Sequence, residues 1–189
     1  MKKIILASAS PRRKELLEQI GVSFEVVPSR CEEKITKQKP REVVEELSLQ
    51  KARDVAENRK NVIVIGSDTI VWQDGKIMGK PANRSEASEM LRKIQGNTHS
   101  VFTGVTVLVK DDREVACHTF SEETRVNVCP MTEEETEAYL NTGEPMDKAG
   151  AYGIQGRFAA WVKSIEGDYN SVVGLPVCAL WQVLKQYVQ

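Results

Sequence analysis

The chain has 189 residues, of which 41% are apolar and 28% are charged, and its formal net charge is -1. This balance is typical of a folded globular protein with one domain or two small lobes, and it excludes wholesale disorder. No apolar stretch approaches the roughly 20 residues of a membrane span, and the short apolar run after Met1 is followed at once by basic residues. We therefore expect a cytoplasmic protein without a signal peptide and without a membrane partner.

Apolar runs and turn residues predict helices that alternate with strands, which is typical of an α/β fold. The elements predicted for the first 95 residues are strands over 3–7, 24–27 and 62–65, helices over 11–20 and 40–56, a hairpin of 70–72 with 76–78, and a helix capped by Asn83 that ends near Ile94. Those predicted for the remainder are antiparallel strands over 98–109 and 114–128 joined around Asp111-Asp112, a helix over 132–140, a Gly-rich loop over 143–156, a strand over 158–165 and a last helix within 170–188.

The numbers and spacing of the cysteines and histidines restrict the kinds of disulfide and metal site that the chain can form. The four cysteines are irregularly spaced and lack a C-x-x-C pair, which argues against a disulfide framework or a structural zinc site. The two histidines, His99 and His118, stand without a partner pattern. If a metal is used, carboxylate oxygens are the expected ligands, and such ligands favour Mg²⁺ or Mn²⁺.

The charges are unevenly spread along the chain. Residues 1–95 contain 19 basic and 14 acidic side chains, whereas residues 96–189 contain 7 and 13. The basic excess makes the first half a natural place for an anionic ligand, although chance segregation of charge on solvated faces explains the counts equally well.

The stretch from Ser8 to Arg13 leads from the first strand into the first helix. Backbone N–H groups at a helix start favour an anion, and Arg12 and Arg13 add forked donors that match phosphate oxygens. The same residues also describe an ordinary capped helix with solvated arginines.

Further polar residues suit phosphate or metal chemistry. Asp68, predicted at the carboxyl end of a buried strand, can bind a metal or take a proton from water, or else form an Asx turn. Glu32 and Glu33 can hold a hard cation or be solvated surface. Lys80, between a glycine and a proline, and Lys51 can contact phosphate.

A Gly-rich segment, Asp147 to Gly156, carries three glycines at a spacing of three. Glycines permit close backbone approach, and the amide of Gln155 offers a donor and an acceptor to a nucleobase edge. Tyr152 and Ile154 favour an ordered binding loop over a flexible connection.

Together, these stretches resemble the Maf family of nucleotide pyrophosphatases over nearly the whole chain. The matching stretches are Leu6 to Leu17, Gly66-Ser67-Asp68-Thr69, Gly79-Lys80-Pro81, Asp147 to Gly156 and Val173-Gly174-Leu175-Pro176. The resemblance implies one domain over 1–189 with a fold similar to that of the inosine triphosphate pyrophosphatases. In that fold, an elongated mixed sheet is flanked by helices, and two lobes enclose a cleft.

The resemblance also implies a reaction and roles for single residues. The reaction is metal-dependent hydrolysis of a nucleoside triphosphate to the monophosphate and pyrophosphate, with Asp68 as the proton acceptor that activates water. Arg12, Thr69 and Gln155 match the positions that mark the dTTP/UTP subgroup of the family, and Glu32 or Glu33 matches the metal ligands together with Asp68. The bottom-up chemistry adds Ser8, Arg13, Lys51 and Lys80 as contacts of the pyrophosphate.

Two other classes of function stay open. The first is a nucleotide-binding regulator without essential turnover, because the family is also associated with inhibition of septum formation. The second is a nucleic-acid-binding protein, suggested by the basic half but not favoured, since no aromatic side chains interleave with the lysines. The apolar helices and strands are also compatible with a homodimer.

Overall fold

The computed structural model describes residues 2–111 and 115–188. Its strands are β1 Lys3–Leu6, β2 Glu25–Val26, β3 Val62–Gln73, β4 Lys76–Met78, β5 Thr98–Lys110, β6 Val115–Val128 and β7 Val162–Glu166. Its helices are α1 Pro11–Gln19, α2 Pro40–Ala56, α3 Arg84–Ile94, α4 Glu133–Leu140, α5 Tyr169–Val173 and α6 Val177–Val188. Part of the predicted junction between the two long strands, Asp112 to Glu114, lies outside the described residues.

The seven strands form one mixed sheet in the order β2-β1-β3-β5-β6-β7, with β4 paired to β3. Strand β1 runs parallel to both β2 and β3, whereas β4 is antiparallel to β3 and β7 is antiparallel to β6. Helices flank this sheet, so the predicted mixed α/β class is confirmed. In the described parts of the chain, no helix combines the length and the apolar content that a bilayer crossing requires.

The chain divides into two compact units. Unit 1 comprises residues 1–68, 103–122 and 174–189, and unit 2 comprises 69–102 and 123–173. This division agrees with the two lobes predicted from the resemblance. The cleft and the assignment of 1–189 to a single domain stay predictions.

In unit 1, helix α2 packs against β3 and β5 at two glycines. A Cβ atom at position 66 would lie 2.2 Å from the carbonyl oxygen of Ser48, and one at position 104 would lie 2.2 Å from that of Val44. Real side chains do not tolerate such distances, so both positions require glycine for close contact rather than for a turn. The core between α2 and the sheet includes Ala52, Val55 and Ala56 of the helix and Ile5, Val62, Val64 and Leu108 of the strands.

This packing corrects one expectation about β3. The sequence pattern ends the third strand at Ile65, before Gly66 to Thr69, but β3 continues to Gln73. Asp68 therefore lies inside a strand, not at its carboxyl end. The hairpin that follows is confirmed, because Asp74 and Gly75 adopt positive φ angles of 49° and 76° between β3 and β4.

One other predicted boundary differs. The strand expected from Phe158 begins at Val162, because residues 157–161 form a 3₁₀ turn. The last helix, α6, lies within the predicted range 170–188, and Gly174, with a φ of 130°, separates it from the short helix α5.

In unit 2, the Gly-rich loop is ordered, as predicted. It contains two short 3₁₀ turns, Glu144–Asp147 and Ala149–Ala151, and the N–H of Gly150 donates to the carbonyl of Gly79 at 3.1 Å. Tyr152 and Ile154 are buried. The side chains of this loop therefore anchor it to the core of unit 2.

His99 is buried beside this loop. It is 3% exposed, and its Nε2 lies 2.7 Å from the hydroxyl of Tyr152. Burial lowers the pKa of His99 from its ordinary 6.5 to about 4, because the charged imidazolium is desolvated there. His99 is thus a neutral structural residue at physiological pH.

The pKa of His99 predicts how stability depends on pH. As the pH falls below about 6.5, the unfolded chain binds a proton at this histidine before the folded chain does, so folding loses about 3 kcal/mol by pH 4. Urea unfolding at several pH values should show this loss in the native protein and not in His99→Gln, whose amide can still bond to Tyr152. Parallel pH profiles for the two proteins would contradict the assignment.

Candidate active site

A lysine and two carboxylates meet in unit 1. The ammonium of Lys51, on α2, lies 2.5 Å from Oδ1 of Asp68, on β3, and 3.0 Å from Oε1 of Glu33. The side chains of Lys51 and Asp68 are only 15% and 14% exposed. Because α2 packs so closely on Gly66, Lys51 on the next turn of the helix reaches the carboxylate two residues further along β3.

The beginning of α1 provides a second group of polar atoms in unit 1. Ser10 caps the helix, and its Oγ accepts from the backbone N–H of Arg13 at 3.5 Å, as the sequence predicted. Ser8 is 8% exposed, and its Oγ accepts from a terminal nitrogen of Arg13 at 3.1 Å and from the backbone N–H of Ser10 at 3.2 Å. The segment from Ser8 to Arg13 therefore forms an ordered helix start held by its own side-chain hydrogen bonds.

The carbonyl oxygen of Gly174 connects α1 to β3. It accepts from Nε of Arg13 at 2.8 Å and from Oγ of the fully buried Ser67 at 3.1 Å. Sequence reasoning did not identify Ser67 or Gly174 as site residues, although both lie within stretches that carry the family resemblance. The contacts of Arg13 with this carbonyl and with Ser8 fix the plane of its guanidinium.

Arg13 interacts electrostatically with the two carboxylates that contact Lys51. Burial lowers the pKa of Arg13 from its ordinary value, and the charge of Arg12 lowers it further, whereas Asp68 and Glu33 raise it. A guanidinium stays protonated at neutral pH despite such shifts. Within unit 1, Arg13 and Lys51 therefore both add positive charge to the surroundings of Asp68 and Glu33.

The structure separates the two neighbouring glutamates. Glu33 pairs with Lys51, whereas Glu32 is exposed and outside this ion pair. The described residues contain no group of three or more acidic, cysteine or histidine side chains arranged to hold a metal ion. Mg²⁺ is commonly held by one or two carboxylates together with phosphates and water, so Glu33 and Asp68 fit such an ion with a substrate present.

The other predicted residues are distributed between the units. Arg12 is half-buried on α1 in unit 1. Thr69, Lys80 and Gln155 belong to unit 2, where Thr69 is half-buried and the other two are exposed. Within that unit, the bond from Gly150 to Gly79 brings the loop that carries Gln155 to the segment that carries Lys80.

All four cysteines are free thiols. Cys31 and Cys129 are half-buried, and Cys117 and Cys178 are exposed. None of the contacts described above involves a cysteine. The candidate site is made of oxygen and nitrogen groups, namely those of Ser8, Arg13, Glu33, Lys51, Ser67, Asp68 and the carbonyl of Gly174.

The fold is similar to that of a solved structure, the Staphylococcus aureus Ham1 protein. The two agree with a TM-score of 0.52 at 13% sequence identity, over 98% of this chain and 99% of the other. At this identity the likeness shows the fold alone, and it confirms the predicted fold class.

Sequence comparison assigns the family. The family described as Maf-like protein matches residues 3–187, and the chain therefore belongs to it. A relative from Agathobacter rectalis is 50% identical over 200 residues, covering 98% of each chain, and is named dTTP/UTP pyrophosphatase. A Bacillus cereus relative with the same name is 53% identical over 188 residues, covering 99% of this chain and 91% of its own.

Proposed function

We propose that this protein is a nucleoside triphosphate pyrophosphatase that hydrolyses dTTP and UTP to the monophosphate and pyrophosphate. The names of relatives that are about half identical to this chain support the substrates. The observation that carries the chemistry is the Lys51–Asp68 pair of 2.5 Å beside the anchored Arg13. The pair joins a largely buried carboxylate to one cation, and a second cation, Arg13, interacts with that carboxylate electrostatically. Hydrolysis of a polyphosphate uses such a combination of a carboxylate and cations.

Asp68 serves as the general base in this proposal. Its carboxylate takes a proton from the attacking water, and the contact with Lys51 holds it in one orientation. The water then attacks the α-phosphorus, the α–β bridging bond breaks, and pyrophosphate leaves with the bridging oxygen. The chain needs no covalent nucleophile for this single displacement.

The cations of unit 1 hold the phosphates. Arg13 offers a planar fork whose orientation is set by Ser8 and Gly174, and Lys51 offers a compact charge. A triphosphate carries about four negative charges near neutral pH, and these side chains offset part of them as charge moves to the leaving pyrophosphate. Lys80 adds a further phosphate contact.

A divalent cation, Mg²⁺ or Mn²⁺, completes the proposed site. Asp68 and Glu33 are the residues that would hold it, and Glu32, which the resemblance offers as the alternative, lies outside the ion pair with Lys51. When bound, the ion neutralises charge on the phosphate oxygens.

Base recognition is assigned to Arg12, Thr69 and Gln155. A uracil-type base presents O2, N3–H and O4 along one edge, and the amide of Gln155 can match two adjacent groups of that set. The exposure of Gln155 leaves its amide accessible to such a ligand. Nucleic acid is not proposed as a partner, and a cytoplasmic location and a homodimer stay predictions.

The proposal is tested by the products that form from a panel of triphosphates. With Mg²⁺ or Mn²⁺, dTTP and UTP should yield monophosphate and pyrophosphate in equal amounts, measured by ion-exchange chromatography. Release of orthophosphate as the only phosphate product would contradict cleavage at the α–β bond. Tight binding of dTTP without any turnover would instead favour the nucleotide-binding regulator of septum formation.

A further inference from the structure

The backbone around Gln155 is folded about the carboxylate of Glu144, within unit 2. Oε1 of Glu144 accepts from the hydroxyl of Tyr139 at 2.9 Å, and Oε2 accepts from the backbone N–H of Arg157 at 3.0 Å. The Tyr139 oxygen in turn accepts from the N–H of Gly153 at 3.3 Å. One side chain thereby holds residues on both sides of Gln155.

The glycines of the segment allow this arrangement. A Cβ atom at position 156 would lie 2.0 Å from Oε1 of Glu144 and 2.3 Å from its Cδ. A Cβ atom at position 153 would lie 2.6 Å from Cε of Lys148. The backbone thus passes directly over the Glu144 side chain, and the repeated glycines have a packing role rather than one in flexibility.

Glu144 is itself held firmly. The ammonium of Lys148 donates to the backbone carbonyl of Glu144 at 2.8 Å and to Oδ1 of Asp147 at 2.6 Å. Tyr139 is 2% exposed, and its ring centroid lies 5.3 Å from that of the fully buried Phe158. The carboxylate therefore has a fixed place relative to the core of unit 2.

This arrangement leaves the side chain of Gln155 exposed while the backbone around it is held. Gln155 follows Ile154, which is 8% exposed, and precedes Gly156, yet its own side chain is exposed. A half-buried carboxylate that organises backbone N–H groups around an exposed amide is a means of orienting that amide, because charge-assisted hydrogen bonds restrict the loop to one shape.

We infer that Glu144 is a positioning residue for Gln155, and that it sets the discrimination between bases by holding residues 153–157 in one conformation. The inference rests on the proposed function, in which Gln155 contacts the base. It assigns Glu144 no contact with the substrate. Loss of the carboxylate should therefore act on substrate choice through Gln155.

The test compares UTP with CTP, which have rings of the same size but different hydrogen-bonding edges. Glu144→Ala should lower the ratio of kcat/KM for UTP to that for CTP by about tenfold, as Gln155→Ala does, since either change removes an oriented hydrogen bond. In the double variant, the ratio should stay within about twofold of that of Gln155→Ala. Tyr139→Phe, which removes only the hydroxyl between Glu144 and Gly153, should give a smaller loss in the same direction.

The outcomes distinguish a failure of the positioning role of Glu144 from a failure of base recognition by Gln155. Glu137→Gln, which removes the charge of an exposed glutamate on α4, is the matched control and should leave the ratio unchanged. If Glu144→Ala and Tyr139→Phe lower both activities equally, or if the double variant shows additive losses, the positioning role is wrong although the proposed function stands. If Gln155→Ala leaves the ratio unchanged, the proposed base recognition is wrong, and the role of Glu144 with it.

Discussion

Replacement of Asp68 by asparagine is expected to lower kcat for dTTP about 10³-fold, while KM changes by less than about threefold. Asparagine has the shape of aspartate and can still accept from Lys51, but it cannot take a proton from water. Removal of a positioned general base costs about 10² to 10⁴ in rate. Pyrophosphate release under saturating dTTP measures the effect, and binding of a non-hydrolysable analogue measures the affinity that should remain.

Asp74→Asn is the matched control for this experiment. Asp74 is exposed at the β3–β4 turn with a φ of 49°, which asparagine also tolerates, so that variant should keep full activity. An Asp68→Asn protein with at least a tenth of the native kcat would show that another group activates the water. A loss of dTTP affinity with kcat unchanged would assign Asp68 to substrate binding instead.

Replacement of Gly66 by alanine is expected to destabilise the fold by about 3 kcal/mol or more. The new methyl group would lie 2.2 Å from the Ser48 carbonyl and 2.9 Å from the Ala52 nitrogen, both on the backbone of α2. Neither atom can turn away as the end of a flexible side chain can, so α2 must shift as a whole. Thermal unfolding should record a fall in Tm of roughly 6 to 12 °C.

Gly79→Ala serves as the control, because a Cβ atom at position 79 has no neighbour within 4 Å. It should leave Tm nearly unchanged. A shift of α2 also moves Lys51 relative to Asp68, so folded Gly66→Ala protein should lose hydrolytic activity as well. Equal melting temperatures for the two alanine variants would show that α2 can move away at little cost, and would contradict the predicted destabilisation.

Local signals in the sequence predicted much of the fold. Helix α2 has the predicted bounds Pro40–Ala56, because Pro40 suits a first helical turn and the apolar positions keep a helical period. The cap at Ser10 and the turn at Asp74-Gly75 also follow from local chemistry. Each of these features depends on residues within a few positions of each other, which a pattern can reveal.

The features that were predicted wrongly or missed depend on contacts between residues distant in sequence. A glycine such as Gly66 is typical of a turn, yet its role depends on close contact with Ser48, 18 residues earlier on α2. No local pattern distinguishes these two uses of glycine. In the site, Ser8, Arg13, Lys51 and Asp68 could be selected by residue type. The choice of Glu33 over Glu32 in the ion pair depends on loop geometry that two identical neighbours do not encode. The Gly174 carbonyl is a backbone group, and its part in the site has no side-chain signature.

The double acceptor at Gly174 has a consequence for how the protein is made. A ribosome adds Gly174 161 residues after Arg13, and the segments that form unit 2 are synthesised in between. Until then, the guanidinium of Arg13 and the hydroxyl of Ser67 lack the oxygen atom that both bind in the finished molecule. The nascent chain can fold β1, α1 and α2 early, but the orientation of Arg13 is completed only when this late segment has emerged and returned to unit 1.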